Sequence, residues 1–220
     1  MTGNAESRSF AVCFCGGSGI AYGLRLVEVL LEAGHTVHLA ATKAALRVLV
    51  HEAGLPVDLE RPDLSALFAG AKTNGTLIVH DREAVEAAPS SGSAGIEAVV
   101  LIPCSMGTLA RVAHGFSSNL VERAADVAIK EGRRLVVVPR ETPLSVIHLQ
   151  NMLELARAGA VVLPAMPGFY HRPERIEDLV DFMVGKVLDR LDVDIEMFAR
   201  WRTPDGGDEV SPWEEGEGEA

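Results

Sequence analysis

The chain has 220 residues, 48% of them hydrophobic and 23% charged, with a formal net charge of −11. At roughly 150 residues per domain this predicts one large domain with its own core, and it excludes a disordered chain; no apolar run nears the roughly 20 residues a membrane-spanning helix needs. The acidic balance argues against a nucleic-acid surface, and three cysteines that fit neither a disulfide framework nor a zinc pattern, behind a polar start without a signal-peptide pattern, predict a cytoplasmic protein.

In chain order, residues 1–9 are expected to be a flexible N-terminus. Phe10–Cys15 is an apolar run of strand length, followed by GGSG and a helical pattern with Leu24, Val27 and Leu31 on one face and Gly34 as the stop. Thr36–Ala40 reads as a second strand, and Thr42 N-caps a helix to about Glu52, stopped by Gly54. The stretch 55–97 is irregular, with Thr76–Val79 as a short strand. Ala98–Ile102 is a buried parallel strand by its β-branched run, and Ser105 caps the next helix. Asn119 and Glu122 stand at capping-box spacing before a helix to about Glu131. Leu135–Val138 is a strand, Thr142 with Pro143 reads as the cap and first turn of a helix over 144–158, and Val161–Leu163 is the last strand. From Ile176 to Leu191 apolar residues keep helical spacing through four turns. The stripe reads either as core or, with Trp201 beyond it, as a face that another copy covers. Residues 203–220 hold seven acids and no base, so 10–202 is expected to be the folded domain and 203–220 an acidic disordered tail.

This β-α alternation implies a parallel sheet with helices on both faces and a ligand crevice at the strands' C-terminal ends. The post-strand loops are therefore the places to look for function. Gly16, Gly17, Ser18 and Gly19 open the first helix, where small residues let backbone amides approach an anion. The loop lacks GxGxxG spacing and a P-loop lysine, so a mononucleotide such as FMN fits better than NAD or ATP; the alternative is a mere tight turn. Cys13 and Cys15 read as small core residues, and so does Cys104, with a thiol activated by a helix end as its alternative. Arg140 and Glu141 put a base and an acid at the crevice, and Glu141 is the leading acid-base candidate, against an inert ion pair. After the last strand, Tyr170 sits in a rigid loop, as a crevice hydroxyl or a packing anchor.

The string PCSMGTLARVAHGFSSNLVERAADVAIKEGRRLVVVPRETP over 103–143, then LSVIHLQNML and LPAMPGFYHRP, resembles the UbiX/Pad family of flavin prenyltransferases. GGSG, Tyr22-Gly23, Thr42-Lys43 and Trp201 fit the same resemblance, which spans about 10–202. It implies a single-domain flavodoxin-like (Rossmann-like) α/β fold. It also implies a transferase that alkylates reduced FMN at N5 and then C6 with dimethylallyl phosphate or pyrophosphate, making prenylated FMN for a UbiD-type decarboxylase. FMN would be held by Gly16, Gly17, Ser18, Gly19, Thr42, Ser105, Met106, Thr108 and Arg123. The donor phosphate would be met by Lys130, Arg140, Tyr170 and Lys186, with Glu141 and Ser18 handling protons. A dodecamer, in which neighbouring subunits complete each site, is implied too.

The residue types make chemical sense, because an allylic phosphate leaves by spreading charge onto its oxygens. Terpenoid enzymes usually neutralise it with magnesium on a DDxxD motif, which this chain lacks; fixed cations and a phenol do that work without metal. Lysine at 186, where the family usually has arginine, keeps the charge but loses the bidentate fork. No aromatic stands at Asp81-Arg82-Glu83, where the family often places a tryptophan. The alternatives are a flavin-dependent decarboxylase of the same fold, whose PxMNxxMW-type loop is replaced here by MPGFYHRP, and a flavin-binding carrier or regulatory protein.

Overall fold

The computed structural model describes residues 7–55, 57–71 and 74–198; Trp201, the acidic segment 203–220 and residues 1–6 lie outside the described residues. Six strands, β1 (Ser9–Phe14), β2 (Thr36–Ala41), β3 (Thr76–Val79), β4 (Ala98–Cys104), β5 (Arg134–Pro139) and β6 (Val161–Val162), form one parallel sheet in the order 3-2-1-4-5-6. That is the doubly wound order, and its reversal between β1 and β4 opens the crevice where such sheets bind ligands. Without the four-residue edge strand β3, the remaining five follow the flavodoxin order.

Six helices cover the sheet: α1 (Ile20–Glu32), α2 (Lys43–Ala53), α3 (Met106–Ala113), α4 (Leu120–Lys130), α5 (Val146–Arg157) and α6 (Ile176–Leu191). Strand side chains alternate between two cores. Phe10, Val12 and Phe14 of β1 pack with α1, α2 and α6, while Ala11 and Cys13 face α3, α4 and α5. Both faces of a doubly wound sheet are covered, so β4 is buried along its whole length and reads as a continuous apolar run.

Three sequence expectations are corrected, and one that was left open is decided. Of the segment 1–9, expected to be flexible, Ser9 opens β1, and Arg8 is held by Glu97 and by the carbonyls of Leu191 and Asp192. Thr142 does not cap α5: Ser145 does, its hydroxyl accepting from the His148 amide at 3.2 Å while His148 Nδ1 accepts from the Ser145 amide at 3.3 Å. Asn119 caps α4 as expected, but the Glu122 carboxylate reaches one residue further back, to the Ser118 amide at 2.8 Å and to Arg111. The α6 stripe is core, since Met183, Val184, Val187, Leu188 and Leu191 are buried in the cluster that holds α1. The exposed apolar helix is α5 instead, with Val146 69% and Ile147 66% accessible and Leu149 and Leu153 beside them.

Candidate active site

The loops after β1, β2, β4 and β5 are tied together at the C-terminal end of the sheet. The Cys15 amide donates to Pro103 O at 3.2 Å, the Thr42 amide to Phe14 O at 2.9 Å and the Arg140 amide to Cys104 O at 3.2 Å. Within that frame two glycines are closely packed: a Cβ on Gly16 would stand 2.5 Å from Ala44 Cβ, and one on Gly17 would stand 3.3 Å from the Cys104 carbonyl, close enough that the neighbour must give. The loop after β1 therefore packs its backbone directly against α2 and the end of β4, a close approach that glycine permits. Gly19, at φ 96°, turns the chain into α1.

Hydroxyls stand around the same end. Thr42 Oγ1 accepts from the Ala45 amide at 3.1 Å and caps α2. Ser105 Oγ accepts from the Thr108 amide at 3.3 Å and donates to Thr108 Oγ1 at 3.1 Å, capping α3 ahead of the buried Met106. Arg140 Nε donates to Ser18 O at 3.4 Å, joining the loop after β5 to the glycine loop. Glu141 does not pair with Arg140; its carboxylate accepts the Thr142 amide at 3.1 Å. The inert ion pair weighed from sequence is thus absent, and each side chain is turned to a different partner.

The anion seat at the start of α1 is held by the chain itself. Glu52 Oε2 accepts from the Gly19 amide at 2.8 Å and the Ile20 amide at 3.1 Å. Partial burial would raise the Glu52 carboxyl, but the Ser18 hydroxyl, those two amides and the Arg140 charge outweigh it and hold it below the usual carboxylate range. Ser18 is therefore flanked by an ionised acid and a guanidinium, a setting in which its hydroxyl can pass a proton.

Beneath this loop the three cysteines are buried. Contact with the Cys15 thiol, and then burial, push the Cys104 thiol well above its ordinary value, and burial does the same to Cys13. Both the burial and the direction of the shift disfavour an activated thiolate at Cys104. Tyr170 and Lys186 belong to a second group, on the loop after β6 and on α6. The Tyr170 ring meets Phe182 edge-on at 5.7 Å, and the Lys186 ammonium lies 5.6 Å from the Phe182 centroid and 5.4 Å from that of Phe198.

The family described as Flavoprotein matches residues 2–188. Flavin prenyltransferase UbiX of Alkalihalophilus pseudofirmus is 50% identical over 186 residues, covering 84% of this chain and 92% of that protein. The chain belongs to the flavin prenyltransferase family. Among solved structures, AnUbiX (PadA1) in complex with FMN and dimethylallyl pyrophosphate superposes with a TM-score of 0.81 at 39% identity, covering 90% of this chain and 99% of that one. A dodecameric FMN-dependent UbiX-like decarboxylase from Escherichia coli O157:H7 gives 0.77 at 38% identity, covering 89% and 99%.

Within this flavin prenyltransferase fold one expected site residue, Lys130, lies at the other end of the sheet from the group around Ser18. Lys130 closes α4 just before β5 begins, so it lies at the strands' N-terminal end, exposed and paired with Glu131 at 2.5 Å. Arg123, in the first turns of α4, pairs with Asp126 at 2.8 Å. One residue that sequence reasoning missed is Glu52. Its signal was an acid in the last turn of α2, where the helix dipole disfavours negative charge.

Proposed function

We infer that this chain transfers a dimethylallyl group from dimethylallyl phosphate or pyrophosphate to reduced FMN. The observation that carries the reading is the convergence of Gly16–Gly19, Thr42, Ser105–Thr108 and Arg140 on one crevice, with Arg140 bonded to Ser18 O. The small-residue loop would suit a flat isoalloxazine, and Gly16, Gly17, Ser18, Gly19, Thr42, Ser105, Met106, Thr108 and Arg123 would hold FMN. FMN is the prenyl acceptor, and supplies the nucleophilic N5 and C6.

The chain's own groups handle charge and protons. Arg140, Lys186 and the Tyr170 hydroxyl would offset the negative charge that collects on the departing phosphate, the kind of fixed stabilisation that costs no reorganisation during reaction. Glu141 would take the proton that leaves when the second carbon bond forms, and Ser18, between Glu52 and Arg140, would relay one. Lys130 reaches this crevice only from a neighbouring copy, so the reading includes a homo-oligomer, as a dodecamer, with the exposed apolar face of α5 as contact surface. Among the described residues no helix is long and apolar enough to cross a membrane. We place the protein in the cytoplasm, handing prenylated FMN to a UbiD-type decarboxylase.

The test is direct. The purified chain is incubated anaerobically with reduced FMN and dimethylallyl phosphate, and the extracted flavin is weighed by mass spectrometry. A flavin heavier by one five-carbon unit supports transfer; FMN recovered unchanged overturns it.

A further inference from the structure

His171 follows Tyr170 in the chain and has no place in the chemistry above. Both of its ring nitrogens are enclosed, and neither has a hydrogen-bond partner among the described residues. Its ring stacks on Phe182 at 5.2 Å with 9° between planes, and the Tyr170 ring stands across both members of that stack, 79° to His171 and 77° to Phe182. Gly168 closes the other side, since a Cβ there would lie 3.0 Å from Tyr170 Cε1 and 3.1 Å from Phe182 Cζ. The next residue, Arg172, adopts φ 53°, a conformation that a residue with a side chain rarely takes, and its amide donates to Phe169 O at 3.0 Å. The turn is thus wound tightly to hold one phenol in one orientation.

Packing alone does not account for histidine here. Phenylalanine would fill the stack without enclosing two polar nitrogens, and a buried donor or acceptor without a partner costs free energy that an apolar ring does not. Strained backbone and unpaired polar groups kept together point to an interaction made only when the site is filled. A charged side chain on the same aromatic cluster is Lys186, across Phe182, and Asp178 lies near His171. Asp178 itself is engaged by the Glu174 and Arg175 amides at 2.8 and 3.0 Å. An anion arriving beside Tyr170 and Lys186 is the partner that would satisfy an imidazole N–H.

We propose that His171 is a positioning residue for the prenyl donor: it fixes the Tyr170 ring and, once a donor seated beside Tyr170 shifts the turn and uncovers a ring nitrogen, gives an N–H to the donor's phosphate group, directly or through water. The proposal rests on the prenyl-transfer reading of this site. It separates three properties that a packing role would keep together. His171→Phe retains the stack and removes the unpaired nitrogens, so its thermal midpoint stays level or rises while donor binding weakens fivefold or more. His171→Gln, whose amide can stand in for a ring N–H, restores part of that affinity, and His171→Ala loses both affinity and stability.

The readouts are calorimetric titration of dimethylallyl phosphate into the anaerobic, FMN-loaded chain, FMN affinity by fluorescence, and thermal unfolding. FMN affinity should be unchanged in all three variants, and in turnover the phenylalanine variant should raise donor KM with little change in kcat. If His171→Phe binds donor as tightly as the parent, or His171→Gln is no better than His171→Phe, the imidazole is packing and the proposal falls. If the parent itself neither binds the donor nor prenylates FMN, the reading of the site falls and takes the proposal with it.

Discussion

The two ends of the sheet are built on opposite principles. At the strands' N-terminal end charged side chains satisfy one another: Arg8 bonds Glu97 and the carbonyls that end α6, and Arg134 pairs with Asp192 at 2.8 Å. At the C-terminal end Arg82 and Glu83 beside β3 still pair, but the groups around the glycine loop turn to backbone and hydroxyls. Arg140 reaches a carbonyl, Glu52 reaches amides, and Glu141 accepts an amide instead of its neighbouring guanidinium. An ion pair that is already made offers nothing to a ligand, whereas a cation held by one long contact to a carbonyl keeps most of its field for an incoming phosphate. Charge paired within the fold and charge turned to backbone are thus separated by the length of a strand.

That contrast breaks most sharply at Arg140. Arg140→Ala removes both the cation and the link to Ser18 O, and is expected to cut prenyl transfer about 10³-fold, within the range for loss of one preorganised donor. Donor use should fail from the start, read as the yield of modified flavin in single turnover. Glu141→Gln should be milder and later, about 10²-fold on the step that releases a proton. Rapid-quench samples would then show flavin alkylated at N5 with its ring unclosed. Ring closure at the parent rate would leave Glu141 without a role in proton transfer.

Smaller again is the effect of crowding the glycine loop. Gly16→Ala forces a Cβ to within 2.5 Å of Ala44 Cβ unless α2 gives way, an overpacking of about 1–3 kcal/mol. FMN affinity, followed by fluorescence titration, should fall together with the thermal midpoint, because the same contact sets the loop and joins α2 to the sheet. A variant that loses stability and keeps FMN affinity would show that the contact is structural only.

How much of this was legible in the sequence depends on how far apart the interacting residues lie. Strands and caps are local: Thr42, Ser105 and Asn119 each follow directly on a strand or turn, and each caps its helix. The misplaced cap is local too, because Thr142 and Ser145 offer the same hydroxyl three residues apart and only the reciprocal His148 bond distinguishes them. The α6 stripe has a clear period, but a period states that a face is covered and not by what; α1 covers it. Glu52 lies 33 residues from the amide it serves, a distance only the fold closes. The resemblance puts Lys130 at the crevice, yet in this chain it ends α4 just before β5, at the opposite end of the sheet, and no periodicity within one chain bears on that.

The smallest expected effect belongs to the other end of the sheet, and it tests whether that end is separable from the chemistry. The side-chain hydrogen bond to Arg8, chiefly, holds the Glu97 carboxyl below its usual value, while partial burial and Asp192 work against it; the Arg8 guanidinium is correspondingly raised, first by the same bond. A carboxyl whose folded pKa is depressed adds stability that is present above its unfolded value, near 4.5, and is lost as pH falls through the folded value. Because Glu97 is 48% exposed, solvent screens the pair and its contribution should be below about 1 kcal/mol. Glu97→Gln should therefore lower the thermal midpoint slightly at pH 7, less so in high salt, and the gap from the parent should close as the medium is acidified below about pH 4.5. FMN affinity and prenyl transfer at pH 7 should not change. If the variant instead loses flavin, the ion-paired end is coupled to the crevice through β1 and β4, and the division of labour between the two ends does not hold.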